Sequence, residues 1–217
     1  MDADSNRRVF ALDRALKAAR IRGIVETVPT YRSLLVHYDP LTLGFSELGD
    51  RLLALLDQPA STENPSRHWR VPVAYGGAFG IDLDDVAKAH DISTDELIRR
   101  HSVPRYDVAM IGFTPGFSYL CGLDPAIATP RRAQPRISTP PGTISIGGVQ
   151  AALQCLAGPS GWHLLGRTPV RTFHPQREPV FLIEPGDAVT FERIDASEFE
   201  RLERLAERGE IVAELAA

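Results

Sequence analysis

Between Gly112 and Gly142 the chain reads GFTPGFSYLCGLDPAIATPRRAQPRISTPPG, and ten of these 31 residues are glycine or proline. Proline fixes φ and withholds an N–H, whereas glycine opens φ > 0. A chain alternating them is therefore forced along a defined irregular path. The segment also carries Phe113, Phe117, Tyr119, Arg131, Arg132 and Arg136 against a single acid, Asp124. Flexible linkers lack aromatic anchors of this kind. A long ordered loop without regular structure is uncommon and usually functional. The stretch reads as one wall of a binding groove, and the remaining chain as the scaffold that holds it.

That scaffold carries mainly β signals from Arg105 onward. YDVAMIGF alternates with β-branched residues, TISIGG and VQAALQCL pair around the Gly147-Gly148 turn, and HLLGRT, VFLIE and AVTFERI are further short strands. Pro185-Gly186-Asp187 separates the last two. Short strands at close spacing predict a closed barrel or sandwich. WRVPVAYGG supplies a strand ahead of them, followed by two short helices. Asp82 or Asp84 opens the first, and Ser93 with Glu96 forms a capping box for the second. A DNA-reading helix pair has a similar look. Asp95 and Glu96 offset Arg99 and Arg100, however, so a helical excursion between strands is the reading adopted. Ser197 to Ala213 is an amphipathic helix with Ser197 and Glu200 in capping positions.

Upstream, residues 7–22 place Val9, Leu12, Leu16 and Ala19 on one helical face, and Gly23 is a stop. Two apolar runs around Pro29-Thr30 predict a hairpin. A second helix from Ser46, the expected cap, runs to Leu56. The order α-β-β-α lacks the strand that would open a split β-α-β fold. Either the domain is built without it, or the true start lies upstream. Residues 58–68, QPASTENPSRH, form the expected linker. The predicted division is a small α+β domain over 1–66 and a mainly-β domain with a C-terminal helix over 67–217.

A net charge of −4 argues against a nucleic-acid partner. No apolar run reaches membrane-spanning length, and the start has no apolar leader core, so the cytoplasm is the expected compartment. There is no GxxxxGK[ST], no GxGxxG after a strand and no GxSxG, and the six histidines show no metal-binding spacing. No metal is expected, and no catalytic residue is assigned. What remains suits a small anion or amide. Arg131, Arg132 and Arg136 offer forked donors, Gln150 can pair with an amide, and Phe113, Phe117, Tyr119 and Trp162 can form flat walls.

Taken in order, VPVAYGG, DLDDVAKAH, DELIRRH, GFTPGFSYLCGL, ATPRRAQPR, PPGTISIGG, GPSGWHLLGRTP and PGDAVTFERI resemble one family, the B subunits of 5-oxoprolinase. The family is also called allophanate hydrolase subunit 1 or KipI-like, and related sequences form part of the carboxyltransferase domain of urea carboxylases. The resemblance spans Asn6 to about Ile194. It implies a ferredoxin-like α+β unit, here without its first strand, followed by a cyclophilin-like β-barrel. It also implies a non-autonomous subunit. With a larger homologous subunit and a third subunit of the lactam-utilisation type, such proteins open 5-oxo-L-proline to L-glutamate using ATP, with the ATP-binding subunit unassigned. Two other roles follow from the same resemblance: a KipI-like inhibitor of a sensor histidine kinase, and the carboxyltransferase half of a urea carboxylase or allophanate-type system. On the first reading Arg131, Arg132 and Arg136 bind the anion. Gln150 and His101 serve as polar contacts, and Pro115 and Gly116 belong to the groove with the aromatic residues.

The chain departs from the family pattern at three places. The N-terminal strand is absent. Gly80-Ile81-Asp82 replaces Gly-Pro-Asp, a turn variation. Gln150-Ala151-Ala152 replaces Gln-Thr-Gly, which removes a hydroxyl from a position expected at the groove.

Overall fold

The computed structural model describes residues 3–56 and 67–216. The chain divides into two compact units, Met1–Pro65 and Ser66–Ala217.

The first unit is built from α1 (Ala3–Ala19), β1 (Ile24–Pro29), β2 (Leu34–Tyr38) and α2 (Phe45–Leu56). The α-β-β-α order is the expected one, with shifted boundaries. The first helix runs from residue 3 to 19 rather than from 7 to 22, because Arg20 leaves helical space at φ 45°. β1 and β2 pair antiparallel with Thr27 opposite Val36 and Pro29 opposite Leu34. α1 is tethered to this hairpin by polar groups. Buried Asp13 accepts from Thr27 Oγ1, and Asn6 Nδ2 donates to the carbonyl of Thr30 at 3.1 Å. Ser46 is not the cap of the second helix. That helix begins one residue earlier, and the Leu48 amide donates to the Gly44 carbonyl at 2.9 Å.

The second unit contains β3 (His68–Tyr75), α3 (Leu83–Ala89), α4 (Thr94–Ser102), β4 (Tyr106–Ile111), β5 (Ser118–Cys121), β6 (Arg136–Thr139), β7 (Thr143–Gly147), β8 (Gln150–Leu153), β9 (Gly158–Ser160), β10 (His163–Arg167), β11 (Ala188–Arg193), α5 (Ala196–Glu207) and β12 (Glu214–Leu215). A 3-10 turn at Pro125–Ile127 lies between β5 and β6. The strands run β10-β7-β8-β5-β4-β11-β3, and β3 returns to β10 through Tyr75 opposite Gly166. The result is a closed, mixed barrel whose one parallel pair is β3–β11. Closure leaves these strands without a free edge, which is how all-β architectures avoid unwanted pairing. β12 pairs with the other half of β3, at Trp69 and Arg70. β6 and β9 form a separate two-stranded arm.

Period-two alternation sends Val71, Val73, Leu120, Ile144, Ile146 and Leu153 into a continuous apolar interior. Leu83, Val86, Leu97 and Ile98 from α3 and α4 join that interior. The helix pair is therefore an excursion between β3 and β4 whose apolar faces pack on the barrel. Each fully buried leucine there contributes on the order of 2 kcal/mol. Ser93 caps α4 as predicted, accepting from the Glu96 amide at 3.1 Å, while the Glu96 carboxylate is held by Arg99 and Arg100.

Four further expectations need correction. The Gly112–Gly142 stretch is not irregular throughout, because it contributes β5 to the barrel and β6 to the arm. VFLIE is not a strand. It makes a single bridge, Phe173 to Phe181, and its backbone is tied to the preceding turn, where the His174 amide donates to the Val180 carbonyl at 2.9 Å and the Leu182 amide donates to the Thr172 carbonyl at 2.8 Å. The last helix starts at Ala196, capped by Asp195 rather than Ser197, and ends at Glu207 because Gly209 turns the chain toward β12. Most of the expected linker lies outside the described residues, while His68 already belongs to β3. Among the described residues, no helix is long and apolar enough to cross a membrane.

Candidate functional site

Strands β5, β8 and β7 lie side by side, and they send Leu120, Ala151, Leu153, Ile144 and Ile146 into the aliphatic core. The opposite face is aromatic, built with residues just ahead of β5 and β10. Phe117, Ala152 and Trp162 form a second buried cluster with Tyr119 packed against it. The rings run in a chain, with centroids 5.6 Å apart for Phe113–Phe117, 4.7 Å for Phe117–Tyr119 and 6.1 Å for Tyr119–Trp162. Tilted and edge-on contacts at these distances are the favoured aromatic geometries. Trp162 lies over β7 only because position 147 is glycine. A Cβ there would stand 2.7 Å from the indole ring.

The rim of this aromatic face is rigid. The Thr114 amide donates to the Gly112 carbonyl at 2.8 Å, closing a three-residue turn around Phe113, which sits at φ 67°. A non-glycine residue in that region is strained by about 1–2 kcal/mol. The turn leaves Phe113 61% exposed. The next residues are pinned from below, where Thr172 Oγ1 donates to the Gly116 carbonyl at 2.6 Å. Pro115 is exposed on the same turn. Gln150 opens β8 opposite Gly147 and shares the outward face with Ala152 two residues on.

Arg131, Arg132 and Arg136 are brought together but do not share one task. The Arg131 guanidinium lies over the Trp162 ring, 5.3 Å from its centroid. Arg132 and Arg136 instead face Asp82. Its carboxylate accepts from Arg136 Nη1 at 2.9 Å and Nη2 at 2.6 Å, from Arg132 Nη1 at 3.2 Å, and from the Leu164 amide at 2.8 Å. Asp82 is 3% exposed. Local sequence makes it a candidate helix cap, yet it makes no side-chain cap bond to α3. A segment with three arginines and a single acid does carry a signal that a counter-ion must come from elsewhere in the chain. Beside this network lies an open hollow lined by Thr129, Pro130, Arg131, Ala133, Gln134 and His163. His163 Nε2 lies 2.9 Å from the Pro130 carbonyl.

Two sequence expectations fail on burial. His101 has no exposed surface. Its Nδ1 is 2.9 Å from the Tyr75 hydroxyl and its ring stacks on Phe191, with centroids 4.9 Å apart. Burial lowers its pKa to about 3, so it is a neutral core residue and no part of the outer face. Ala151, where the family pattern has threonine, belongs to the barrel interior opposite Leu120 and Ile146. The hydroxyl absent there is absent from the core, not from the groove.

The arrangement offers an aromatic cluster of tilted and edge-on rings with one guanidinium over Trp162, and Gln150 opens β8 at its end. A triphosphate would need several converging cations, and two of the three arginines here are turned onto the one Asp82 carboxylate, so these residues alone do not fit ATP. Among the described residues no group of three His, Cys, Asp or Glu side chains could hold a metal ion.

The family model for the carboxyltransferase domain, subdomain C and D, matches residues 1–183. A Bacillus subtilis protein named as the B subunit of 5-oxoprolinase is 37% identical over 191 residues, covering 82% of this chain and 78% of that one. Its namesake from Haemophilus influenzae is 39% identical over 185 residues, covering 85% of each. The crystal structure of a protein designated TTHA0988 superposes with a TM-score of 0.80 at 35% identity over 90% of this chain, which spans 38% of that longer one. With the closed barrel and near full-length identity agreeing, the chain belongs to the carboxyltransferase subdomain C and D family, alongside proteins named as B subunits of 5-oxoprolinase.

Proposed function

We propose that this chain is a subunit of a cytoplasmic, ATP-dependent 5-oxoprolinase. It acts with a larger homologous subunit and a lactam-utilisation-type subunit to convert 5-oxo-L-proline to L-glutamate, and it is inactive alone. The observation that carries the reading is identity of 37–39% over most of the chain to proteins named as that subunit.

A lactam is a resonance-stabilised amide, so its opening must be coupled to an energy source. ATP supplies this when bound by the assembly, through activation of the amide oxygen. The residues of this chain bind and orient. The planar ring lies against Tyr119, beside the Arg131–Trp162 pair, with Phe117 beneath. Arg131 meets the substrate carboxylate, and Gln150 pairs with the lactam amide. Exposed Phe113 and the Pro115-Gly116 turn form the rim against which the larger subunit closes, excluding water. The test is co-expression of the three chains and assay of glutamate formation from 5-oxoproline with ATP. Activity is expected only with the full set, and equal activity without this chain overturns the proposal.

A further inference from the structure

We propose that Asp82 is a positioning residue for the aromatic face, acting through Arg132 and Arg136 to hold Arg131 over Trp162. The proposal rests on the reading of that face as the ligand site.

Both halves of the Arg131–Trp162 contact are referenced to the same carboxylate. On one side Asp82 grips Arg132, adjacent to Arg131, and Arg136 four residues beyond it, through Nη contacts of 3.2, 2.9 and 2.6 Å. On the other side it accepts from the backbone amide of Leu164, two residues past Trp162, at 2.8 Å. The Arg132 amide, donating to the Gly161 carbonyl at 2.7 Å, closes the frame next to the indole. A carboxylate buried to this degree is stable only with charge-assisted partners. Displacing the 131–136 segment would strand it, so the segment is fixed. Arg131 is the one arginine of the three that Asp82 does not hold, and it projects from a backbone restrained on both sides. A cation fixed in this way loses little freedom when an anion arrives, which is how preorganisation raises affinity.

The experiment uses the full-length chain with Trp69→Phe, which leaves Trp162 as the only tryptophan of the two in the sequence. Acrylamide quenching of Trp162 and the melting temperature are measured for this parent and with Arg131→Ala, Asp82→Asn or Arg136→Lys added. Removing a stacked cation is expected to raise the quenching constant about twofold in Arg131→Ala. Asp82→Asn should match it while remaining folded, and Arg136→Lys, which keeps the charge but loses the fork, should fall between. In the three-chain enzyme, Asp82→Asn should raise KM for 5-oxoproline about tenfold with kcat within about twofold, the pattern of a lost binding contact.

A folded Asp82→Asn protein whose Trp162 is quenched like the parent overturns the positioning role. So does loss of folding in both Asp82→Asn and Arg136→Lys, which would make the cluster purely structural. If Asp82→Asn alone fails to fold, Arg136→Lys decides. Quenching that rises while KM stays constant keeps the positioning geometry and overturns the ligand-site reading instead.

Discussion

Lowering the pH from 7.5 to 5 should destabilise the barrel through His101. The folded state holds this imidazole neutral, with its pKa lowered by burial from 6.5 to about 3. Its Nε2 is buried with no hydrogen-bond partner, so a proton arriving there would gain no compensating contact. The unfolded chain takes up that proton near its ordinary pKa. Because the folded pKa is the lower one, the contribution of His101 is fully present above pH 6.5 and is lost as pH falls through 6.5 toward 3. Each pH unit inside that window costs about 1.4 kcal/mol, so at pH 5 the loss from this residue is roughly 2 kcal/mol. Urea unfolding followed by tryptophan fluorescence is a suitable assay, since Trp69 and Trp162 both belong to the barrel unit. Carboxylates also titrate in this range, so the informative quantity is a difference between proteins. His101→Asn keeps a polar group toward Tyr75 but cannot take up the proton. The wild type should lose about 2 kcal/mol more than the variant between the two pH values. Equal losses, or a His101 ring proton that titrates near 6.5 in the folded protein, would refute the reasoning.

Two glycine substitutions separate backbone strain from steric collision. Gly148→Ala meets no atom within 4 Å and faces only a left-handed φ of 63°, so calorimetry should show a loss of about 1 kcal/mol. Gly142→Ala combines φ 75° with a Cβ placed 2.1 Å from the Thr168 carbonyl oxygen and should cost about 3 kcal/mol or more in the same measurement. Gly147→Ala drives a methyl into Trp162 and should shift its emission maximum while costing about 1–3 kcal/mol, and an unchanged emission spectrum would contradict the packing.

Elements whose identity depends on local pattern are legible in the sequence. The β7–β8 hairpin follows from Gly147-Gly148 between alternating apolar runs, and the Ser93 cap from a hydroxyl three residues before Glu96. VFLIE shows where local pattern misleads. Its composition is that of a strand, but Leu182 and Ile183 are buried in a non-strand segment held by backbone bonds to Thr172 and His174, contacts that no local rule anticipates. His101 shows the same for function. Its polar side chain points to the groove by residue type, and a helix face shared with Leu97 and Ile98 puts it in the core.

Local sequence dictates the α-β-β-α start, the run of short strands and the segment that forms the aromatic rim, because periodicity and turn chemistry act over a few residues, whereas barrel rather than sandwich is decided by the pairing of β3 with β10. Which arginine faces outward is settled only in three dimensions. Asp82 lies 50 residues from Arg132 and 82 from Leu164, and chain closure places all of them around one buried carboxylate. Burying that charge requires those partners, so Arg132 and Arg136 turn inward and Arg131 is left over Trp162.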